Sequence, residues 1–327
     1  MKALCLALAL LPVALMAAPD EPRVERLDGA LDELLDAGTR VEVLTDGFDW
    51  SEGPVWKGTE LLFSDVPQNT IFSWREGERD ARVFQRPSGG REPTAQGSNG
   101  LALDAQGRLI LCQHGDRRVA MLVGEQWTGI AERFEGKRFN SPNDLCISSK
   151  GTIFFTDPPY GLKGAAPEMP EHGVYAVQPG GEVLRLISDL KWPNGIALSP
   201  DESLLYIAVS DRDHPRVMVY DLKGSAGKSA GVEIPQALNG REFFNAQSLK
   251  SNTRKGGCDG LKVDSLGNVW TTGPGGVLVL SSKGKHLGSI LTGQATANCA
   301  WGGADRRTLY ITADGLLMRV KTKVSGR

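Results

Sequence analysis

The sequence predicts an all-β fold: a six-bladed β-propeller with a short N-terminal helical cap, whose ring is closed by an N-terminal strand. Three observations support this prediction. Six segments repeat one plan of strands and turns at intervals typical of propeller blades. Glycine accounts for 40 of the 327 residues, against a usual ~7%, and shows no collagen-like period, which indicates many turns between short strands. Helical periodicity is confined to one segment near the N-terminus.

Each repeat begins with a polar residue and continues with an apolar strand, a turn and a second apolar strand. The starts lie 47, 44, 51, 65 and 39 residues apart, which brackets the ~40–50 residues of one four-stranded blade. The internal turns carry residues that favour turns, as in Asp104-Ala-Gln-Gly and Asp264-Ser-Leu-Gly. The six starts are Glu52, Asn99, Asn143, Asn194, Asp259 and Asn298.

The sequence predicts three regions: a signal peptide (1–18), an extension with a helix (19–39) and the propeller (40–322). Lys2 precedes an apolar run that ends at small residues around Ala18, the pattern of a cleaved export signal. The run is too short to anchor the protein in a membrane. We therefore predict a periplasmic or secreted protein that begins near Ala18 to Asp20 and has no membrane association after cleavage.

The extension and one long repeat interval complete the predicted architecture. Apolar residues between Val24 and Ala37 share one helical face and predict the cap. The strand Arg40-Val-Glu-Val-Leu is left over before the first repeat, and we expect it to form the outer strand of the last blade, which removes a free sheet edge. The 65-residue interval contains an insertion, about 224–255, which is expected to be a surface loop and either a lid or passive.

Composition excludes several functional classes. The formal net charge is -2, which argues against a nucleic-acid partner. The four cysteines that remain after signal cleavage are widely spaced and form no C-x-x-C pair, so thiolate metal sites are not expected. The oligomeric state is left open, and so is any disulfide pairing; free buried thiols are the default for Cys112, Cys146, Cys258 and Cys299.

The repeat starts are the candidate functional residues because equivalent positions of a propeller's innermost strands face the central tunnel. A buried ring of two carboxylates and four amides is unfavourable unless a partner satisfies its polar atoms. Such oxygen ligands suit Ca²⁺, and carboxylates also suit Mg²⁺ or Mn²⁺. Zn²⁺ is a weaker match because the starts contain neither His nor Cys. A divalent metal, with Ca²⁺ as the first candidate, is therefore predicted, and a water-filled polar tunnel is the alternative.

Residues near the starts extend this candidate site. Asp144 follows Asn143 and is expected to add a third carboxylate at the tunnel mouth. Tyr160 belongs to Thr156-Asp-Pro-Pro-Tyr-Gly, which follows the second strand of its blade, and His114 occupies the matching place one blade earlier. His172 precedes a strand and either lines the pocket or lies on the surface. Asn99, His114, Tyr160 and His172 are the predicted substrate contacts.

Five longer motifs contain several of these residues. They are Glu52-Gly-Pro-Val-Trp, Arg138-Phe-Asn-Ser-Pro-Asn-Asp-Leu, Phe155-Thr-Asp-Pro-Pro-Tyr-Gly-Leu, Trp192-Pro-Asn-Gly-Ile-Ala and Asp259-Gly-Leu-Lys-Val-Asp. In these motifs the chain resembles the SMP-30/gluconolactonase/LRE-like family, over about Val41 to Val320. The resemblance implies a six-bladed propeller that hydrolyses a lactone with calcium or another divalent metal. It implies that Glu52, Asn143, Asn194 and Asp259 are the ligands and that Asn99 lies just beyond them, contacting the substrate or a ligand water.

Two positions depart from the family pattern without touching the four ligand positions. Cys258 stands where an apolar residue is usual, and the start at Asn298 lacks the following glycine. The small-molecule substrate is expected to be a lactone, most simply a sugar lactone. Asp259 or Asp144 would deprotonate the attacking water, or Asp259 would itself attack as a nucleophile. A related hydrolase of phosphoesters or organophosphates and a non-catalytic binding module with a structural metal are the alternatives.

Overall fold

The computed structural model describes residues 21–92, 95–229 and 231–327. Its strands form six antiparallel sheets of four or five strands, which confirms the predicted six-bladed propeller. The predicted signal segment lies outside the described residues. No described helix is long and apolar enough to cross a membrane.

Two strands precede the first blade, Arg23–Arg26 (β1) and Glu42–Asp46 (β2). Blade 1 consists of Ser51–Lys57 (β3), Glu60–Asp65 (β4), Thr70–Arg75 (β5) and Arg82–Gln85 (β6). Blade 2 consists of Ser98–Leu103 (β7), Leu109–Gln113 (β8), Arg118–Val123 (β9) and Gln126–Ala131 (β10). A small two-stranded sheet follows, Arg133–Phe134 (β11) and Lys137–Arg138 (β12). Blade 3 consists of Leu145–Ile147 (β13), Ile153–Asp157 (β14), Gly173–Val177 (β15) and Val183–Ile187 (β16).

The remaining blades follow the same order of strands. Blade 4 consists of Pro193–Leu198 (β17), Leu204–Val209 (β18), Arg216–Ser229 (β19) and Val232–Asn245 (β20). Blade 5 consists of Leu261–Val263 (β21), Val269–Gly273 (β22), Gly276–Leu280 (β23) and His286–Leu291 (β24), with β1 added at its edge. Blade 6 consists of Thr296–Gly302 (β25), Thr308–Ala313 (β26) and Leu316–Lys321 (β27), with β2 added at its edge. Short 3₁₀ helices occupy Gly29–Glu33, Tyr160–Leu162 and Gln247–Leu249.

Apolar side chains fill the spaces between neighbouring sheets. In the described part of the chain, buried clusters lie between each pair of consecutive blades, including the pair formed by blades 6 and 1, where Phe63 packs with Tyr310. Because both faces of a blade are covered, its middle strands are continuous apolar runs, such as Leu204–Val209. The core therefore forms a ring around the tunnel.

The N-terminal strand closes this ring as predicted. β2 pairs antiparallel with β27, with Glu42 opposite Arg319. The Nε atom of Arg319 donates to Oε2 of Glu42 at 3.0 Å. Strands from the two ends of the chain thus share one sheet, which covers the edge of β27.

The predicted helical cap over Val24 to Ala37 is wrong in most of its length. Arg23–Arg26 is a strand that pairs with β24, and only Gly29–Glu33 forms a 3₁₀ helix, with the Asp28 side chain accepting from the Ala30 amide at 2.9 Å. Pairing with the open edge of β24 satisfies backbone groups that a short isolated helix would leave at its ends. Leu31, Leu34 and Leu35 are nevertheless buried, and they pack between blades 5 and 6.

The predicted loop at 224–255 is also wrong in its structure. Most of it extends the β19–β20 hairpin, in which each strand has 14 residues and the pairing register shifts at three places. The end of the hairpin lies beside the turns at 148–150 and 200–203. Because β19 runs away from the end of the tunnel at which the repeats start, this extension lies at the opposite end and is no lid for the site. The next residues that line the site begin just after this interval, at Gly256.

Candidate active site in the central tunnel

The first strand of each blade lies at the axis and contacts the first strands of both neighbouring blades. Glycine directly after a repeat start permits this close approach. A Cβ atom on Gly53, whose φ is +49°, would lie 2.1 Å from the Asn99 carbonyl oxygen. A Cβ atom on Gly260 would lie 2.1 Å from Cγ of Asn298. The repeated polar-glycine pair is therefore a packing requirement of the tunnel and brings the polar starts together.

The repeat starts converge as predicted. Nδ2 of Asn143 donates to Oδ1 of Asn194 at 3.0 Å, and Nδ2 of Asn298 donates to Oε2 of Glu52 at 3.4 Å. Five of the six starts are buried, and Asp259 is partly exposed. Hence Asp259 is the carboxylate of the ring that is most accessible from the cavity.

A cavity of about 560 Å³ opens above these residues. It receives five of the six repeat starts together with His114 and Tyr160, which the sequence also predicted. Asn298, Asp144 and His172 are not among its lining residues. The lining consists of Trp50, Glu52, Val66, Pro67, Gln96, Asn99, His114, Asn143, Tyr160, Asn194, Ser210, Arg212, Gly256, Gly257, Cys258 and Asp259.

The carboxylates of the ring are electrostatically unfavourable without a cation. Burial, and then the negative charge of Asp144, raises the pKa of Glu52 to about 7. Burial, and then the charges of Glu52 and Asp144, raises the pKa of Asp259 well above its ordinary value. Both groups therefore favour a positive partner in the cavity.

Asp144 lies below the ring instead of in the cavity. Its Oδ1 accepts from the Leu145 amide at 2.8 Å, and its Oδ2 accepts from Nδ2 of Asn298 at 3.2 Å. The Lys262 amine lies 3.5 Å from the same Oδ2. Both oxygens of Asp144 therefore have partners, and the side chain is 2% exposed.

Three polar atoms on one side of the cavity lack partners. Oε1 of Gln96, Oδ1 of Asn99 and Nδ1 of His114 are buried without a hydrogen bond among the described residues. Nδ2 of Asn99 lies 3.5 Å from Nε2 of His114. Burial lowers the pKa of His114 to about 4, so its ring is neutral at pH 7. These atoms are available to a polar ligand.

Tyr160 and His172 meet through Trp192. The Trp192 ring lies 5.1 Å from the Tyr160 ring and 5.0 Å from the His172 ring, measured between centroids. Nδ1 of His172 accepts from the Trp192 amide at 3.1 Å. Tyr160 therefore lines the cavity, whereas His172, which was predicted as a substrate contact, contacts Trp192 and is not among the lining residues.

Asp157 is a supporting residue that the sequence reasoning did not identify. It is fully buried, and its Oδ2 accepts from the Asn140 amide at 2.8 Å. Beside it, Oγ of Ser141 donates to the Pro158 carbonyl at 2.5 Å and accepts from the Gly161 amide at 2.8 Å. These bonds join the loop before Asn143 to the loop that carries Tyr160. The signal for Asp157 was its place in the Thr156-Asp-Pro-Pro motif.

Other missed residues share one structural position. Val66 and Pro67 follow β4, and Ser210 and Arg212 follow β18. The second strand of each blade runs towards the mouth of the cavity, so the residues that follow this strand can line the cavity wall. His114 and Tyr160 were found by this rule, and applying it to blades 1 and 4 would have found the others. Trp50 and Gln96 precede a repeat start, a position for which no rule was available.

Comparison with known proteins agrees with this geometry. Residues 50–315 match the family described as SMP-30/Gluconolactonase/LRE-like region. The chain belongs to this family. This SMP-30/gluconolactonase/LRE-like protein is 36% identical over 322 residues to a gluconolactonase from Zymomonas mobilis, which covers 93% of this chain and 87% of the relative.

Solved structures show the same fold. A gluconolactonase from Xanthomonas campestris matches this SMP-30/gluconolactonase/LRE-like chain with a TM-score of 0.78 and 32% identity, over 92% of this chain and 95% of that one. A calcium-binding regucalcin from Agrobacterium tumefaciens matches with a TM-score of 0.69 and 19% identity, over 88% and 96% of the two chains. The second similarity concerns the fold alone.

The ring of this family member fits a divalent cation. Oδ1 of Asn143 is a buried acceptor with no hydrogen bond among the described residues, and it lines the cavity with the carboxylates of Glu52 and Asp259. No cluster of three or more His, Cys, Asp or Glu in residues 21–92, 95–229 and 231–327 is arranged to hold a metal. The donor set is instead mixed carboxylate and amide oxygen, which is the preference of Ca²⁺.

The cysteines take no part in this donor set. The four cysteines among the described residues are unpaired; Cys112, Cys258 and Cys299 are buried and Cys146 is partly buried. Burial raises the pKa of the Cys258 thiol, beside Asp259, to about 12. The thiols therefore remain protonated at neutral pH and are poor metal ligands.

Proposed function

We propose that this protein hydrolyses a sugar lactone with the help of a divalent cation, Ca²⁺ in the first instance. The observation that carries the proposal is the cavity in which the carboxylates of buried Glu52 and partly exposed Asp259 lie beside buried polar atoms that have no hydrogen bond among the described residues. Its similarity to gluconolactonases supports lactone hydrolysis. The cation and the sugar are inferred from the chemistry of the lining residues.

Glu52, Asn143, Asn194 and Asp259 are the residues that would hold the cation. When bound, a divalent cation supplies Lewis-acid polarisation of the lactone carbonyl. Oδ1 of Asn194 already accepts from Asn143, and its Nδ2 donates to Oγ of Ser210 at 3.0 Å. These hydrogen bonds fix the orientation of the Asn143 and Asn194 side-chain amides. The amide oxygens are therefore held in place before a cation binds.

Asp259 is the group placed to move a proton. It lines the cavity and is partly exposed, whereas both oxygens of Asp144 have partners below the ring. As water adds to the carbonyl carbon, Asp259 takes the proton that water loses. When the ring C–O bond breaks, Asp259 returns that proton to the leaving oxygen and a hydroxy acid is formed. Because of its position in the cavity, Asp259 is a better candidate for the base than Asp144.

The free atoms on one wall favour a polyhydroxylated lactone. Oε1 of Gln96 and Oδ1 of Asn99 can only accept hydrogen bonds, and a sugar lactone carries several hydroxyl donors. Trp50, Val66 and Pro67 supply apolar surface in the same cavity, which suits the C–H face of a sugar ring. An apolar lactone would leave these buried acceptors unsatisfied, at a cost in affinity.

Replacing Asn99 by alanine tests the sugar assignment. We expect kcat/KM for glucono-δ-lactone to fall about 5- to 150-fold, because the loss of one hydrogen bond to a polar ligand costs about 1–3 kcal/mol. Metal affinity should be unchanged, since Asn99 contacts the substrate. For δ-valerolactone, which has the same ring without hydroxyls, the variant should match the wild type. Proton release measures turnover, and calorimetry measures metal binding.

Wild-type protein provides the controls for substrate class. It should turn over glucono-δ-lactone faster than δ-valerolactone, and both faster than an organophosphate. If kcat/KM of the Asn99→Ala variant fell equally for both lactones, Asn99 would not be hydrogen-bonded to a hydroxyl group of the substrate. A wild-type protein that binds metal but is inert towards lactones and organophosphates would be a binding module.

We also propose that the protein is exported and acts in the periplasm or outside the cell. The proposal rests on Lys2 and the apolar run after it. Intact-mass analysis of protein from its native host should give a chain beginning near Ala18 to Asp20. Recovery of the full chain from Met1 in the cytoplasm would contradict export.

A further inference from the structure

An ion pair between buried Asp144 and partly buried Lys262 lies directly below the ring. Nζ of Lys262 is 3.5 Å from Oδ2 of Asp144 and donates to Oδ1 of Asn298 at 3.2 Å. It also donates to the Leu261 carbonyl at 3.0 Å. The Lys262 side chain is 24% exposed and that of Asp144 is 2% exposed. Most of this pair is therefore removed from water. Two charges interact more strongly in the protein interior than in water.

One amide connects the pair to the candidate metal ligands. Nδ2 of Asn298 donates to Oδ2 of Asp144 at 3.2 Å and to Oε2 of Glu52 at 3.4 Å. Oδ1 of Asn298 accepts from Nζ of Lys262 and from the Cys299 backbone amide. The Asn298 side chain therefore links Glu52 to Asp144 and Lys262, so a change in charge at either of these residues should alter the electrostatic environment of Glu52.

Asp144 occupies this place because its blade breaks the repeat. Four starts are followed by glycine, but Asn143 is followed by Asp144, which puts a carboxylate among the innermost strands. Glu52, Asp144 and Asp259 then bring three negative charges to one tunnel. A divalent cation can balance only two of them.

We propose that Lys262 is a positioning residue that neutralises Asp144, so that the ring presents two net negative charges to a divalent cation. This assignment rests on the proposed function, because it concerns the affinity of the metal site. It predicts that the two members of the pair change metal affinity in opposite directions. A role confined to filling or sealing the tunnel would not produce opposite signs.

Calorimetric titration of Ca²⁺ into the wild type and four variants tests the assignment. Lys262→Met should tighten binding at least about tenfold, because it leaves a third negative charge facing the ion. Asp144→Asn should weaken binding by a similar factor, because it leaves Lys262 unpaired. The double variant should return to within about threefold of the wild type. Lys150→Met, which removes an exposed lysine at the opposite end of the propeller, is the charge-matched control and should have no effect.

The outcomes separate this assignment from the proposed function. Opposite shifts that cancel in the double variant support it. Weakening in both single variants, or no change beyond twofold in either folded variant, overturns it while leaving the metal site intact. Wild-type protein that binds no divalent cation overturns the proposed metal dependence and this assignment together. If Lys262→Met does not fold, the double variant compared with Asp144→Asn still decides, since adding Lys262→Met should then tighten binding about tenfold.

Discussion

Asp259→Asn is expected to lower kcat/KM for glucono-δ-lactone by about 10²- to 10⁴-fold, the usual contribution of a positioned acid–base group. The substitution removes the proton acceptor and one of the two charged candidate ligands, so metal affinity should fall as well. The backbone of Asp259 is held on both sides, by its own amide donating to Thr272 Oγ1 at 2.9 Å and by the Gly195 amide donating to its carbonyl at 3.0 Å. The variant should therefore keep the shape of the site. Proton-release kinetics and calorimetry are the measurements.

Asp213→Asn is the matched control for this substitution. Asp213 is an exposed carboxylate on the loop after β18, one residue beyond Arg212, and it does not line the cavity. The control should retain wild-type turnover and metal affinity. If Asp259→Asn were as active as the control, the repeat starts would not be the catalytic site.

Removal of divalent cations is expected to reduce lactone turnover to the uncatalysed rate and to lower the melting temperature. Without a cation, burial raises the pKa of both Glu52 and Asp259, and negative neighbours raise it further: Asp144 acts on Glu52, and Glu52 and Asp144 act on Asp259. A cation at about 100 times its dissociation constant would stabilise the fold by about 2.7 kcal/mol. Chelator treatment followed by thermal melts and proton-release assays measures both effects, and added Ca²⁺ should reverse them.

Two controls distinguish a metal effect from damage. Re-addition of Mg²⁺, Mn²⁺ or Zn²⁺ in parallel ranks the metals, and the mixed amide and carboxylate donors favour Ca²⁺. The Glu52→Gln variant should melt at a temperature that responds less to Ca²⁺. Full lactonase activity in chelated protein, confirmed to be metal-free, would show that the tunnel carboxylates act without a cation.

The sequence determined the number of blades, their order and the convergence of polar residues. Short apolar strands and the turn residues between them are local features, so the pattern that specifies each blade can be recognised within about 50 residues. Ring closure was also predictable, because the strand before the first repeat is left over and can supply the outer strand of the last blade. The resemblance added the ligand set Glu52, Asn143, Asn194 and Asp259 to a ring already located by its spacing.

The tertiary structure decided features that depend on contacts between distant segments. The N-terminal segment became a strand at Arg23–Arg26 because the edge of β24 was open to it, which no local propensity records. Likewise, the insertion became a hairpin directed away from the site, since its direction follows from β19. Asp144 and Lys262 are 118 residues apart in the chain and meet only in the folded tunnel. Spacing identifies which residues reach the axis, but only packing determines which polar atoms are paired there and which remain free for a ligand.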